Sequence, residues 1–243
     1  MQPRSIRVIA HRGASIEAPE NTLKSFKKAI EIGADYIEFD LRFSKDRKLV
    51  IIHDDSLKRI TGFKGKVRAF TSEQLAQLDA GEGEHIPTLE EVIQICKGKI
   101  KLQIEIKEVG IAPVLFNCLN QNHILDTVLI SSYIHSELDT IKNLNFHIPC
   151  ATLDPSGFAW ITAWIRKKGM IINAKGRNFN GIHPFHRVIN QKFVRLTHAA
   201  GLFVNPYTVD DPKRIHTLLK WGVDGIITND PRQLKGILQE LDL

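Results

Sequence analysis

Four short polar patterns sit at or inside apolar runs: His11-Arg12, Glu38-x-Asp40, His53-Asp54 and Glu105-x-Lys107. Glu38 and Asp40 are two apart in YIEFDLRF. On a strand that spacing puts both carboxylates on one face and Ile37, Phe39 and Leu41 on the other. Carboxylates aimed into a core are costly unless positive charge lies between them. Glu105 and Lys107 repeat the spacing. Carboxylate oxygens with no cysteine nearby suit Mg2+ or Ca2+ better than a thiol-preferring metal. The alternative is an ion-pair network joining Glu38, Asp40 and Glu105 to Lys107, Arg12 and Arg42, and spacing alone does not separate the two. His11 and His53 each end a β-branched run, and two imidazoles can serve as base and acid near neutral pH. Arg12 could fork onto a phosphate, and Lys107 could add a point charge. Such a set suits cleavage of a phosphate ester.

These residues need a scaffold that brings strand ends together. Short apolar runs predict strands at Arg7–Ala10, Tyr36–Phe43, Ile100–Ile106, Val128–Ser131, Cys150–Leu153, Met170–Ala174, Leu202–Val209 and Gly225–Thr228. A further run, Leu49–His53, pairs with the second strand as a hairpin. Amphipathic stretches alternate with the strands. Leu23, Phe26, Ala29 and Ile30 share a helical face, TLEEVIQIC opens with a capping box, and DPKRIHTLLKWG starts at Asp-Pro and stops at Gly222. Eight strand–helix units in 243 residues predict an α/β fold, a closed (β/α)8 TIM barrel. No GxGxxG or Walker loop follows any strand, which argues against an open nucleotide-binding sheet. Residues 54–87 are long for a connection and read as an inserted loop region over one face. In a barrel, functional groups gather at the C-terminal strand ends, and the first three units concentrate polar residues there.

Composition narrows the field. Charged residues are 25% of the chain and the net charge is +6, with the basic residues dispersed. That favours anionic ligands without pointing to nucleic acid. Cys96, Cys118 and Cys150 are far apart and read as free thiols of a reducing compartment. There is no apolar run long enough to span a membrane and no signal-peptide pattern at the start, so the expectation is a cytoplasmic protein. Trp160 and Trp164, four apart, read as a helix packing face or an oligomer contact. The sequence leaves oligomerisation open.

Taken together, HRGASIEAPENT, IEFD, IIHDD, IPTLEEVI, IEIK and VNPYTVDDP…WGVDGIITNDP resemble the glycerophosphodiester phosphodiesterase family over nearly the whole chain. The resemblance implies a single TIM-barrel domain over residues 1–243, with the insertion at about 54–87. It implies hydrolysis of small-molecule glycerophosphodiesters to an alcohol and sn-glycerol 3-phosphate. It also implies a divalent cation, Mg2+ or Ca2+, held at Glu38, Asp40 and Glu105. His11 and His53 match the acid/base pair, and Arg12 and Lys107 match phosphate-contacting positions. In the family's scheme one histidine helps the glycerol 2-hydroxyl attack phosphorus, the other protonates the departing alcohol, and water opens the cyclic phosphate. His11 is expected to be the base and His53 the acid, an order that the sequence alone does not fix. The chain departs from the pattern in PYTVD. Tyr207 stands where tryptophan is usual and is expected to wall the glycerol, and Asp210 stands for asparagine and is expected to cap the helix at Pro212.

Overall fold

The computed structural model of the chain describes residues 6–154 and 163–243. The expected Trp160–Trp164 face begins outside them. The strands are β1 (Arg7–His11), β2 (Tyr36–Phe43), β3 (Leu49–Ile51), β4 (Lys101–Ile106), β5 (Val128–Ser132), β6 (Cys150–Asp154), β7 (Gly181–Pro184), β8 (Phe203–Val204) and β9 (Gly225–Thr228). All but β3 run parallel, in the order β8-β7-β6-β5-β4-β2-β1-β9, and β3 pairs antiparallel with β2. Hydrogen bonds from Asp224 N–H to Val204 O and from Ile227 N–H to Pro206 O, each 3.0 Å, draw the β8 and β9 edges together. The result is a nearly closed TIM barrel.

The helices between strands are α1 (Leu23–Ile32), α2 (Lys58–Thr61), α3 (Ser72–Leu75), α4 (Leu89–Cys96), α5 (Ile111–Gln121), α6 (His135–Leu144), α7 (Ala163–Gly176), α8 (Gln191–Ala199), α9 (Pro212–Trp221) and α10 (Pro231–Glu240). Their starts follow local chemistry. Thr22 and Thr88 form capping boxes with Ser25 and Glu91, and Asp211 caps α9 ahead of Pro212. The outward faces of the strands, such as Ile37, Phe39 and Leu41 on β2, pack against these helices in the main core. A parallel strand covered on both faces is buried along most of its length, and β2 is. Among the described residues, no helix is long and apolar enough to cross a membrane. Cys96 and Cys150 are buried and Cys118 is half-buried.

Two expected strands are corrected. Met170–Ala174 lies inside α7, where Met170 and Ala174 are buried and Ile172 is 70% exposed. A short apolar run does not by itself distinguish strand from helix. The strand is instead Gly181–Pro184, hidden by its Gly and Pro. Gly181 is required there, because a Cβ would lie 2.2 Å from the Phe203 ring. Leu202–Val209 shortens to β8, since the chain leaves the sheet before Pro206. The insertion is more than a loop. It contains α2 and α3 and buries Leu57, Val67 and Leu75 with Val50, Ile52, Ala80 and Ile86 in a small core of its own.

Register sets the site. His11 pairs with Glu38, Glu38 with Gln103, and Asp40 with Glu105. Strand alternation thus stacks the polar residues in two adjacent layers at the mouth. After β1 the chain turns through Arg12 at φ +55° and Gly13 at φ +82°. At Gly13 a Cβ would stand 2.3 Å from Ser25 Oγ and 2.7 Å from its backbone carbon. Gly13→Ala is therefore expected to cost roughly 2–5 kcal/mol, combining left-handed strain with overpacking. Gly98→Ala has a similar φ of +74° but open space around it, and should cost only about 1–2 kcal/mol. Denaturant unfolding of the two variants checks this. Equal losses would show that the Ser25 contact carries no weight.

Candidate active site

Glu38, Asp40 and Glu105 are buried, each offering an oxygen within 4.8 Å of the others. The cations beside them are Arg12 and Lys107. Arg12 Nε lies 3.4 Å from Asp40 Oδ2, and Lys107 Nζ lies 2.7 Å from Glu105 Oε1 and 3.4 Å from Asp40 Oδ1. Arg42, expected in this network, pairs with Glu108 instead and donates to the His53 carbonyl. Two groups reach the cluster from left-handed backbone. Arg12 N–H donates to Glu38 Oε2 at 3.0 Å, and Asn21, at φ +58°, donates its amide to Asp40 Oδ2 at 2.9 Å. Thr22 caps α1, which leaves the neighbouring Asn21 amide to Asp40.

Three carboxylates against two cations leave an excess of negative charge. Burial, with repulsion from Asp40 and Glu105, pushes Glu38 well above the carboxylate range. Burial pushes Glu105 up to about 7, although Lys107 opposes it. Burial also pushes Asp40 up, yet Lys107, Arg12 and His53 together hold it well below the usual range. Asp40 Oδ1 is buried without a hydrogen-bond partner. An all-oxygen donor set, more carboxyls than cations and a buried carboxylate oxygen with no hydrogen bond fit a hard divalent cation.

The histidines flank the cluster with different supports. His11 Nδ1 lies 2.7 Å from Asn229 Oδ1, which also accepts from Ser15 Oγ at 3.0 Å. The Asn229 amide nitrogen donates to Asp210 Oδ2 at 2.7 Å, and Asp210 Oδ1 accepts from Thr228 Oγ1 and Asn229 N–H. A carboxylate fixes which end of an amide faces it. Asn229 therefore turns its oxygen to His11, and the His11 proton sits on Nδ1. Burial, reinforced by Arg12, pushes His11 down to about 4, so the ring is neutral with Nε2 unprotonated. His53 Nδ1 lies instead 2.7 Å from the Asp54 carboxylate, whose other oxygen takes Arg59 Nε at 2.6 Å. Burial lowers His53 too, opposed by Asp40 and the Asp54 bond. Arg59 of α2 forks onto Glu20, and Glu20 takes Arg12 Nη1 at 2.8 Å.

His11, Arg12, Glu38, His53, Glu105 and Lys107 line one cavity of about 130 Å³, with Asp40 buried against them. Tyr207 closes its far wall, and its hydroxyl bonds that of Tyr133. Sequence reasoning missed Tyr133, Gln103 and Asn229. Only Asn229 carried a signal, since TND follows the last strand as HRG follows the first. Asp210 is corrected. It anchors Asn229, and its neighbour Asp211 caps α9. His183 is fully buried on β7, away from this cavity's lining. A metal-ready carboxylate cluster, two cations and two histidines with opposite support can stabilise a phosphate and move protons on either side of it.

The chain matches the model of the glycerophosphoryl diester phosphodiesterase family over residues 11–233. It is 36% identical to a glycerophosphodiester phosphodiesterase of Caldanaerobacter subterraneus subsp. tengcongensis, across 96% of this chain and 98% of that one. Among solved structures it resembles a phosphodiesterase of Oleispira antarctica in complex with the product sn-glycerol-3-phosphate. That chain is 29% identical, with a TM-score of 0.85 and 96% of each chain covered. It also resembles the glycerophosphodiester phosphodiesterase of Thermotoga maritima, 25% identical with a TM-score of 0.81, across 96% of this chain and 99% of that one.

The Asp210–Asn229–His11 chain makes a spectroscopic prediction. In 15N NMR at neutral pH, His11 should show a protonated Nδ1 and a bare Nε2. Asp210→Ala frees the Asn229 amide to turn and should populate the other tautomer. A single unchanged tautomer in the variant would show that Asp210 does not orient the ring.

Proposed function

We propose that this chain, which belongs to the glycerophosphoryl diester phosphodiesterase family, hydrolyses small glycerophosphodiesters to sn-glycerol 3-phosphate and an alcohol by histidine acid/base catalysis. The observation that carries the reading is the unequal support of the two histidines around one cavity. His11, held by a neutral amide oxygen, has a free Nε2 and is the base. It takes the proton of the glycerol 2-hydroxyl as that oxygen bonds to phosphorus. The bond from phosphorus to the alcohol oxygen breaks, and His53, backed by the Asp54 carboxylate, gives that oxygen a proton. The roles then reverse as water opens the cyclic phosphate. Arg12 and Lys107 face the phosphoryl oxygens, and Tyr207 walls the glycerol.

Glu38, Asp40 and Glu105 would hold a divalent cation, Mg2+ or Ca2+, which supplies charge stabilisation to a phosphate when bound. The protons that the raised Glu38 and Glu105 carboxyls retain would leave on its binding.

Purified protein given glycerophosphoethanolamine should release glycerol 3-phosphate, and EDTA should stop it. His11→Ala and His53→Ala should each lower kcat about 10²–10⁴-fold with the fold retained. Full turnover in both variants would refute the acid/base assignment. Mg2+ or Ca2+ should raise the Tm of the wild type but not of Asp40→Asn, and an equal rise in both would refute the metal site.

A further inference from the structure

On the side of the His53 backbone carbonyl, which Arg42 holds, lies a second cavity, of about 240 Å³, lined by Arg42, Asp55, Lys66, Arg68 and Glu108. Every lining side chain is charged. The cavity is tied to the first one on two strands. Arg42 follows Asp40 by two residues on β2, and its Nε donates to the His53 carbonyl at 2.8 Å. Glu108 directly follows Lys107 at the end of β4.

Both carboxylates are already engaged. Glu108 accepts Arg42 Nη1 at 3.0 Å and faces Arg68 Nη2 at 3.4 Å, while Asp55 faces Lys66 Nζ at 3.4 Å. Three cations against two acids leave a net positive wall. Arg68 and Lys66 are each 69% exposed, so both can swing onto a ligand. The stretch from Lys58 to Arg68 also carries Arg59 and Lys64 and holds no acidic residue. No apolar side chain lines it, and its apolar surface comes from the stems of these charged residues. The insertion spends Leu57, Val67 and Leu75 on its own core, and Ile16, Phe63 and Val109 stand exposed singly on three different loops.

We propose that this cavity receives the departing alcohol and favours alcohols that carry an anionic group of their own, a carboxylate or a second phosphate. The inference rests on the function proposed above, in which His53 protonates the leaving oxygen and so marks the leaving-group side. An acyl chain would have to cover the charged ends of the lining side chains. A quaternary ammonium would meet a net positive wall. A carboxylate or phosphate can fork onto Arg68, whose 3.4 Å contact with Glu108 is long enough to exchange.

The test uses diesters of sn-glycerol 3-phosphate with ethanolamine, glycerol, glycolic acid and glycerol phosphate. For each protein, kcat/KM is normalised to the glycerol diester. Wild type should prefer the glycolate or the glycerol phosphate diester over the ethanolamine diester by roughly tenfold or more, less so at high salt. The double variant Lys66→Glu, Arg68→Glu should lose or invert that preference, and Arg68→Lys should keep most of it. The arm that responds tells carboxylate from phosphate. If the preference survives charge reversal, or if wild type favours ethanolamine, the subsite is refuted while the hydrolase reading stands. If wild type cleaves no diester, both fall.

Discussion

Burying Glu38, Asp40 and Glu105 within 4.8 Å of one another is the constraint around which the barrel mouth is built. Like charges at that spacing repel strongly away from water, and each carboxylate also loses its hydration. The protein answers with every means a chain has. Arg12 and Lys107 bring charge, Asn21 brings an amide, and Arg12 brings a backbone N–H. Two of these groups arrive only because Arg12 and Asn21 adopt left-handed backbone, a conformation that costs a non-glycine residue about 1–2 kcal/mol. Gly13 in turn lets the strained loop pass against Ser25. The loop geometry is thus a consequence of the acidic cluster. What the cations leave uncompensated, Glu38 and Glu105 offset by holding protons, which a divalent cation would displace.

The same network explains why the insertion exists as a folded unit. Its small core of Leu57, Val67 and Leu75 holds α2, and α2 carries Arg59. Arg59 bridges Asp54, the support of His53, to Glu20, the support of Arg12. One arginine on the insertion therefore joins the histidine on one side of the cavity to the cation at its centre. Surface ion pairs contribute little singly, but here three are chained and share partners.

Strand-borne groups were legible in the sequence because a period of two puts Glu38 with Asp40 and Glu105 with Lys107 whatever the tertiary context. Tyr36–Phe43 was likewise readable from its alternation and Gly225–Thr228 from its β-branched run. Loop-borne groups that act through a partner on another element were not. Asn21 looks like a cap and acts on Asp40, Asp210 looks like a cap and acts on Asn229, and Tyr133 meets Tyr207 only after the sheet closes. The misplaced Met170–Ala174 strand has the same origin. The real strand, GIHP, needs its glycine because of Phe203, a residue 22 positions later. Pairings made across the barrel leave no periodicity to read.

The two histidines show how little chemistry separates a base from an acid in such a site. Both are tied through Nδ1, both are lowered by burial, and both line the same cavity. The difference is the partner. Burial and Arg12 keep His11 neutral, and the amide oxygen that takes its Nδ1 proton adds no full charge to oppose them, so Nε2 is ready to accept. At His53 the Asp40 and Asp54 carboxylates oppose the lowering by burial, which favours the imidazolium there relative to His11. The carboxylate is not missing from the His11 side. Asp210 stands one residue further out, with Asn229 between, so it orients the ring without placing its own charge against it. If the carboxylate and the amide exchanged places, His11 would meet the charge directly and the two histidines would become alike. In the proposed mechanism, the order in which they act follows from that single interposed amide.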